Sequence, residues 1–72
     1  MRMTIVDDPV NVRYVIVKGH VRQWLKDNGV PAMWLPRHRG FCMRRDRLPD
    51  LLALADVQGH RVRVIVASEV SS

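Results

Sequence analysis

Two segments of the chain follow the same order, from the end of an amphipathic helix through a glycine into a strand. They are WLKDNGVPAMWL (24–35) and LADVQGHRVRVI (54–65). A glycine just after an apolar helical stripe ends the helix, and the residues that follow are of the kind that form strands. A chain that contains this unit twice is constrained to combine helices with strands that pair in one sheet.

The remaining segments complete the pattern. Strands are predicted at 12–17, 32–35, 41–44 and 61–67, and helices at 20–28 and 47–58, the second with Asp46 as its N-cap. Each helix has one stripe predicted to face the core, formed by Val21, Trp24, Leu25 and Asn28 in the first and by Leu48, Leu51, Leu52 and Ala55 in the second. The order strand, helix, strand, strand, helix, strand predicts an α+β, ferredoxin-like βαββαβ fold. That fold has a four-stranded antiparallel sheet with two helices on one face. The alternative is that the internal similarity arose by chance in a small α+β chain.

The length bounds the organisation of the chain. Its 72 residues predict a single domain, 1–72, with 1–11 as either an extra strand or a loose N-terminus and 68–72 as a frayed tail. A domain of this size buries little of its surface and is marginally stable alone. We therefore expect it to form a homodimer.

The alternation of apolar and charged residues orients the predicted sheet. In the last strand Val62, Val64 and Val66 share one face, which we assign to the helices. The same reasoning turns Val12, Tyr14 and Ile16 inward in the first strand. Two protein-contact patches follow, one on the face without helices and one at an apolar edge. Their residues are Arg13, Val15, Arg63 and Ile65 for the face, and Met33, Trp34 and Leu35 for the edge.

Charge is concentrated in RHRGFCMRRDR, residues 37–47. This stretch holds five of the ten arginines and, less Asp46, contributes +4 to the net charge of +5. Arginine suits bidentate contacts with phosphate or carboxylate. The segment is therefore predicted either to contact nucleic-acid phosphates or an acidic partner, or to be a solvated run of surface charge. The contact residues would be Arg37, Arg39, Arg44, Arg45 and Arg47.

The stretch RGFCMR resembles the start of the third-strand motif of the RNA-recognition family, which opens with a basic residue, a glycine and an aromatic residue. Arg39, Gly40 and Phe41 match those positions. The next positions depart from the family, with Cys42 in place of a small residue and Met43 in place of the second stacking aromatic. The resemblance therefore does not predict a base-stacking sheet of that kind.

No pattern in the sequence predicts catalysis or a metal. One cysteine and three scattered histidines do not make a four-ligand zinc site or a convincing Cys–His pair. The only glutamate is Glu69, and the aspartates lie at turns and helix ends. We expect no enzyme activity, no cofactor and no small-molecule substrate. The lone cysteine and the lack of a long apolar run predict a cytoplasmic protein that does not enter a membrane.

The run RGFCMRRDRLPDLLALADVQGHRVRV, residues 39–64, resembles small uncharacterised basic proteins of phages and mobile elements of high-GC bacteria. The resemblance implies a cytoplasmic protein of a bacterial or phage-infected cell, and it implies no activity. Two functions remain open from the residues. The first is a non-enzymatic interaction module that binds a partner protein and self-associates, and the second is a nucleic-acid-binding protein that contacts phosphates through the arginine-rich hairpin.

Overall fold

The computed structural model describes residues 1–66. Within them the chain has the predicted α+β class, as a five-stranded mixed sheet with two helices. The strands are β1 (Arg2–Asp7), β2 (Tyr14–Lys18), β3 (Met33–Leu35), β4 (Gly40–Arg44) and β5 (Arg61–Val66). The helices are α1 (Arg22–Asp27) and α2 (Leu48–Val57), and a 3-10 turn, Arg45–Arg47, leads into α2. The predicted frayed tail, 68–72, lies outside the described residues.

The strand order is β3-β4-β2-β1-β5. β1 therefore lies between β2 and β5, which the predicted fold places side by side. It pairs antiparallel with β2 and parallel with β5, while β2, β4 and β3 pair antiparallel. The two predicted βαβ halves are both present, but β5 is displaced outward by one strand. The four-stranded antiparallel sheet is therefore replaced by a mixed one. The reason is that β1 buries Met3 and Ile5 completely, which a loose N-terminus would leave in water.

Both predicted helix ends have the same hydrogen-bonded form. After α1, the Val30 N–H donates to the Leu25 carbonyl at 2.9 Å and the Gly29 N–H to the Lys26 carbonyl at 3.2 Å. After α2, His60 and Gly59 repeat these bonds. This is the Schellman arrangement, which satisfies carbonyls that the helix leaves free. The internal similarity of the sequence thus corresponds to a repeated local structure.

The core lies between the sheet and the two helices. The predicted helical stripes are confirmed, because Leu25 of α1 and Leu51 and Ala55 of α2 are buried in this core. A hydrogen bond joins the two helices, in which the indole N–H of Trp24 in α1 donates to the side-chain oxygen of Gln58 at the end of α2 at 2.7 Å. The helices therefore cover one face of the sheet as a connected layer.

The predicted orientation of β2 is wrong by one residue. Val15 and Val17 are 1% and 0% exposed and face the helices, while Tyr14 and Ile16 lie on the other face. The side-chain oxygen of Asn11 accepts the N–H groups of Arg13 and Tyr14 at 3.2 and 3.0 Å, so the strand begins only after Arg13. Arg13 therefore lies in the preceding loop and marks no face of the sheet. Val15 is a core residue, and its assignment to a contact patch is wrong.

Candidate functional site

The side of the sheet without helices, which we call the open face, carries a row of apolar side chains that crosses every strand. Residues paired across neighbouring strands point to the same side of a sheet. The pairs Met33–Cys42, Cys42–Ile16, Ile16–Val6 and Val6–Ile65 therefore place five side chains in line. With strands about 4.8 Å apart, this apolar row is about 19 Å long.

The apolar row is partly open to water. Met33 is 67% exposed at one end, and the other four side chains are half-buried. Leu35, also half-buried, adjoins the row on β3. No element among residues 1–66 covers this surface. A continuous apolar surface on so small a protein is typical of a contact site.

Basic side chains border the apolar row on both sides. Arg44 lies beyond one side, and four basic residues lie beyond the other. Alternation along the strands and the pairs Thr4–Lys18, Thr4–Arg63 and Arg2–Arg61 place those four on the open face. Asp7, the only acidic residue in the five described strands, lies on the helix side. The open face therefore has a positive margin, formed by Arg2, Lys18, Arg44, Arg61 and Arg63.

Cys42 lies within the apolar row, between Met33 and Ile16. Burial raises the pKa of the Cys42 thiol above its ordinary value. The thiol is therefore protonated at neutral pH, and its thiolate, the reactive form, is scarce. Cys42 contributes apolar surface to the open face rather than a nucleophile.

Tyr14 and Arg44 are cross-strand partners at one end of the open face. With Val12, Arg13 and Asp46 they line a cleft of about 370 Å³. Arg44 pairs with Asp46 at 2.9 Å, but both side chains are largely exposed, so the pair is weak. Sequence reasoning missed Tyr14 because it turned this side chain inward.

The arginine-rich segment does not form one cluster. Arg37 and Arg39 lie in the exposed turn between β3 and β4, while Arg44 ends β4 at its other end and Arg47 follows it. At about 3.3 Å per residue, the strand separates the two pairs by about 13 Å. Charge that is continuous in the sequence is therefore divided between opposite ends of the sheet.

Arg45 has a structural role rather than the predicted contact role. Its guanidinium forms an ion pair with Asp7 and donates to the carbonyls of Asp8 and Asn11 at 3.0 and 2.7 Å. Its backbone N–H donates to the Arg13 carbonyl at 2.7 Å. Arg45 thus fastens the loop between β1 and β2. Asp46 likewise is not the N-cap of α2, because the cap is Arg47 and has no side-chain bond.

The predicted edge patch is divided by the alternation of β3. Met33 and Leu35 lie on the open face, whereas Trp34 pairs with Phe41 on the helix side. The two rings pack edge to face with centroids 5.0 Å apart. Trp34 is still 48% exposed. The edge therefore contributes to two different surfaces, one on each side of the sheet.

The described part of the chain offers no cluster of three or more histidine, cysteine or acidic side chains placed to hold a metal ion. None of its helices has the length and apolar character needed to cross a bilayer. No known protein family, no curated protein and no solved structure matches the chain. The resemblance to phage proteins and the cytoplasmic location stay predictions, and function must be argued from the surfaces themselves.

Proposed function

We propose that this protein is a non-enzymatic interaction module whose open face binds an acidic partner protein. The observation that carries the proposal is the apolar row across all five strands with its positive margin. The row offers apolar area that binding would remove from water, at about 25 cal/mol per Å². The margin would steer an acidic surface into register with it.

The margin also bears on the predicted homodimer. Two copies that met through their open faces would bring Arg44, Arg63 and the other margin residues against like charges. Like charges across an interface cost several kcal/mol, on the order of the binding energy of a weak complex. A different, acidic protein therefore fits this surface better than a second copy. Self-association through another surface stays a prediction.

Site-specific photo-crosslinking in the cells that make the protein tests the open face. We expect a benzoylphenylalanine at Ile65 to give a discrete protein adduct, because Ile65 ends the apolar row. The same group at Val57, which is 83% exposed on α2, is the matched control and should give none. Charge reversal at Arg2 and Arg63 should reduce the Ile65 adduct at least tenfold.

The adduct itself separates the alternatives. An adduct at twice the 8.3 kDa mass of the chain identifies a second copy and contradicts the acidic partner. An adduct that nuclease removes identifies nucleic acid. Equal adducts from Ile65 and Val57, or none from Ile65, contradict the open face as a binding surface.

Nucleic-acid binding is the second candidate, and the position of Tyr14 favours it. An exposed aromatic ring beside Arg44, with Arg13 in the same cleft, has the components that stack a base and contact a phosphate. The predicted hairpin residues Arg37 and Arg39 lie at the other end of the sheet. A bound strand therefore has two separate basic sites available, and Tyr14 belongs to the one at Arg44.

Fluorescence anisotropy with labelled single-stranded and duplex oligonucleotides tests this candidate. If it is right, binding persists at physiological salt, and Tyr14→Ala weakens single-strand binding by about 1–3 kcal/mol while Tyr14→Phe does not. Paired reversals, Arg13→Glu with Arg44→Glu against Arg37→Glu with Arg39→Glu, locate the contacts at one end or the other. Binding that disappears on adding salt, with no effect of Tyr14→Ala, assigns the arginines to generic surface charge.

A further inference from the structure

A groove runs between α1 and β3 on the helix side of the sheet, away from the open face. It consists of two adjoining clefts of about 420 and 370 Å³. Both are lined by Trp34 and Phe41 from the sheet and by Arg22 from α1. The groove therefore has an aromatic side, formed by the sheet, and a helical side, formed by α1.

The aromatic side of the groove is also a free sheet edge. Within the described residues β3 pairs only with β4, so the outer side of the strand has no strand partner. Pro31 and Pro36 flank the strand, and its three residues leave room for only a short added segment. A short edge bounded by prolines resists pairing with a long sheet edge, including that of another domain.

The helical side of the groove is basic. Arg22 and Lys26 lie one turn apart on α1 and both line the groove, while no acidic residue lines either cleft. Asp27, the acidic residue of α1, is held by a 2.8 Å hydrogen bond from Gln23. A segment that enters the groove therefore meets positive charge opposite an apolar aromatic surface.

We infer that this groove binds an extended segment of a partner protein, which adds to β3 as a sixth strand. Side chains two positions apart in a strand lie on the same side, about 6.6 Å apart. The segment would place an apolar side chain against Trp34 and Phe41, and an acidic one two positions away against Arg22 or Lys26. Backbone bonds to β3 would supply affinity, and these two side chains specificity.

A second copy of the chain does not fit this occupant. Its own edge strand carries Met33, Trp34 and Leu35 and no carboxylate. Two copies joined at β3 would also bring Arg22 and Lys26 of each near those of the other. The groove is distinct from the open face, so binding here and binding there can fail independently.

The test uses the full chain, labelled with ¹⁵N, and a pool of acetylated heptapeptides. Each peptide carries one apolar residue and one Asp or Glu two positions away, in either order. A second pool has Lys in place of the acidic residue. We expect the acidic pool to shift the amide signals of Met33, Trp34 and Leu35 and the indole signal of Trp34, and the Lys pool to bind at least tenfold more weakly.

Two matched comparisons make the test specific. Arg22→Glu with Lys26→Glu should weaken binding of the acidic pool at least tenfold, whereas Arg61→Glu with Arg63→Glu, the same charge change at the opposite edge, should change it less than twofold. In the tightest peptide, N-methylation of one alternating set of amides should abolish binding and methylation of the other set should not. That asymmetry is the signature of an added strand, because only one edge of a strand faces its neighbour.

Several outcomes overturn the inference. They are the absence of shifts at millimolar peptide, equal binding of the two pools, tolerance of both methylated sets, and shifts confined to the open face. Concentration-dependent shifts of β3 without peptide would identify a second copy as the occupant instead. Ile16→Lys changes the open face but not the groove, and should leave peptide binding unchanged. If the peptides do not bind the groove, the proposed function of the open face is not affected.

Discussion

Replacing Ile5 by Asp should leave the chain unfolded in water. Ile5 is 0% exposed in β1, between β2 and β5, and its side chain faces the core. Burial of an unpaired carboxylate costs several kcal/mol, which is comparable to the roughly 5 kcal/mol by which a small domain is stable. Far-UV circular dichroism and the dispersion of amide signals should both show the loss of structure.

The neighbouring substitution Thr4→Asp is the control for this result. Thr4 lies on the open face and pairs with Lys18 on β2 and with Arg63 on β5. A carboxylate there would be near two cations and partly in water, so we expect the thermal midpoint to stay within a few degrees of the wild type. A folded Ile5→Asp chain, or equal effects of the two substitutions, would contradict the central position of β1.

Replacing Gly19 by Ala should cost about 3 kcal/mol of stability. Gly19 has φ +120°, a conformation that side chains rarely adopt, and a Cβ there would lie 2.8 Å from the carbonyl oxygen of Arg2. Because that oxygen belongs to the backbone of β1, it cannot move aside without disturbing the strand. The midpoint of urea unfolding measures the change, since the slope should be preserved.

Gly59→Ala is the matched comparison for Gly19. Gly59 has φ +74°, but no atom lies within 4 Å of the position a Cβ would take. Only the backbone conformation is then penalised, by about 1–2 kcal/mol. If the two substitutions shift the urea midpoint equally, the close approach of Gly19 to β1 does not contribute to stability.

The helices were predictable because each had two independent signals. The stripes of Leu25 and of Leu51 with Ala55 gave the buried side, and Gly29 and Gly59 gave the ends. Both signals depend on residues within one or two helical turns of each other, so the sequence alone is enough to read them. The α+β class follows from such local signals.

The placement of β1 and the orientation of β2 depend on contacts that the sequence does not display. Residues 3–6 read equally well as a strand or a loose end, since their partners on β5 lie far along the chain. The run from Tyr14 to Val17 is apolar at every position, so alternation does not orient it. Arg13 would mark the outer side only as part of the strand, and the strand begins after it. Tyr14 and Ile16 were consequently missed as surface residues.

The predicted site residues likewise differ in whether local sequence is enough to place them. Met33, Leu35, Arg63 and Ile65 lie on the open face, where alternation on β3 and β5 places them. The role of Arg45 was not predictable, because Asp7, Asp8 and Asn11 come more than thirty positions earlier. A run of like charges shows how much charge is present, but not which of its residues form contacts within the protein.

The parallel pair of β1 with β5 has a consequence for how the protein is made. It joins Arg2 to Arg61 and Asp7 to Val66, nearly the whole described length apart in sequence. Until β5 forms, β1 has a partner on one side only, and Met3 and Ile5 lack part of their cover. Such distant pairing slows folding and leaves an apolar strand edge exposed meanwhile. A nascent chain is therefore most prone to aggregate before β5 is synthesised, and a chain shortened before Arg61 should accumulate as insoluble material.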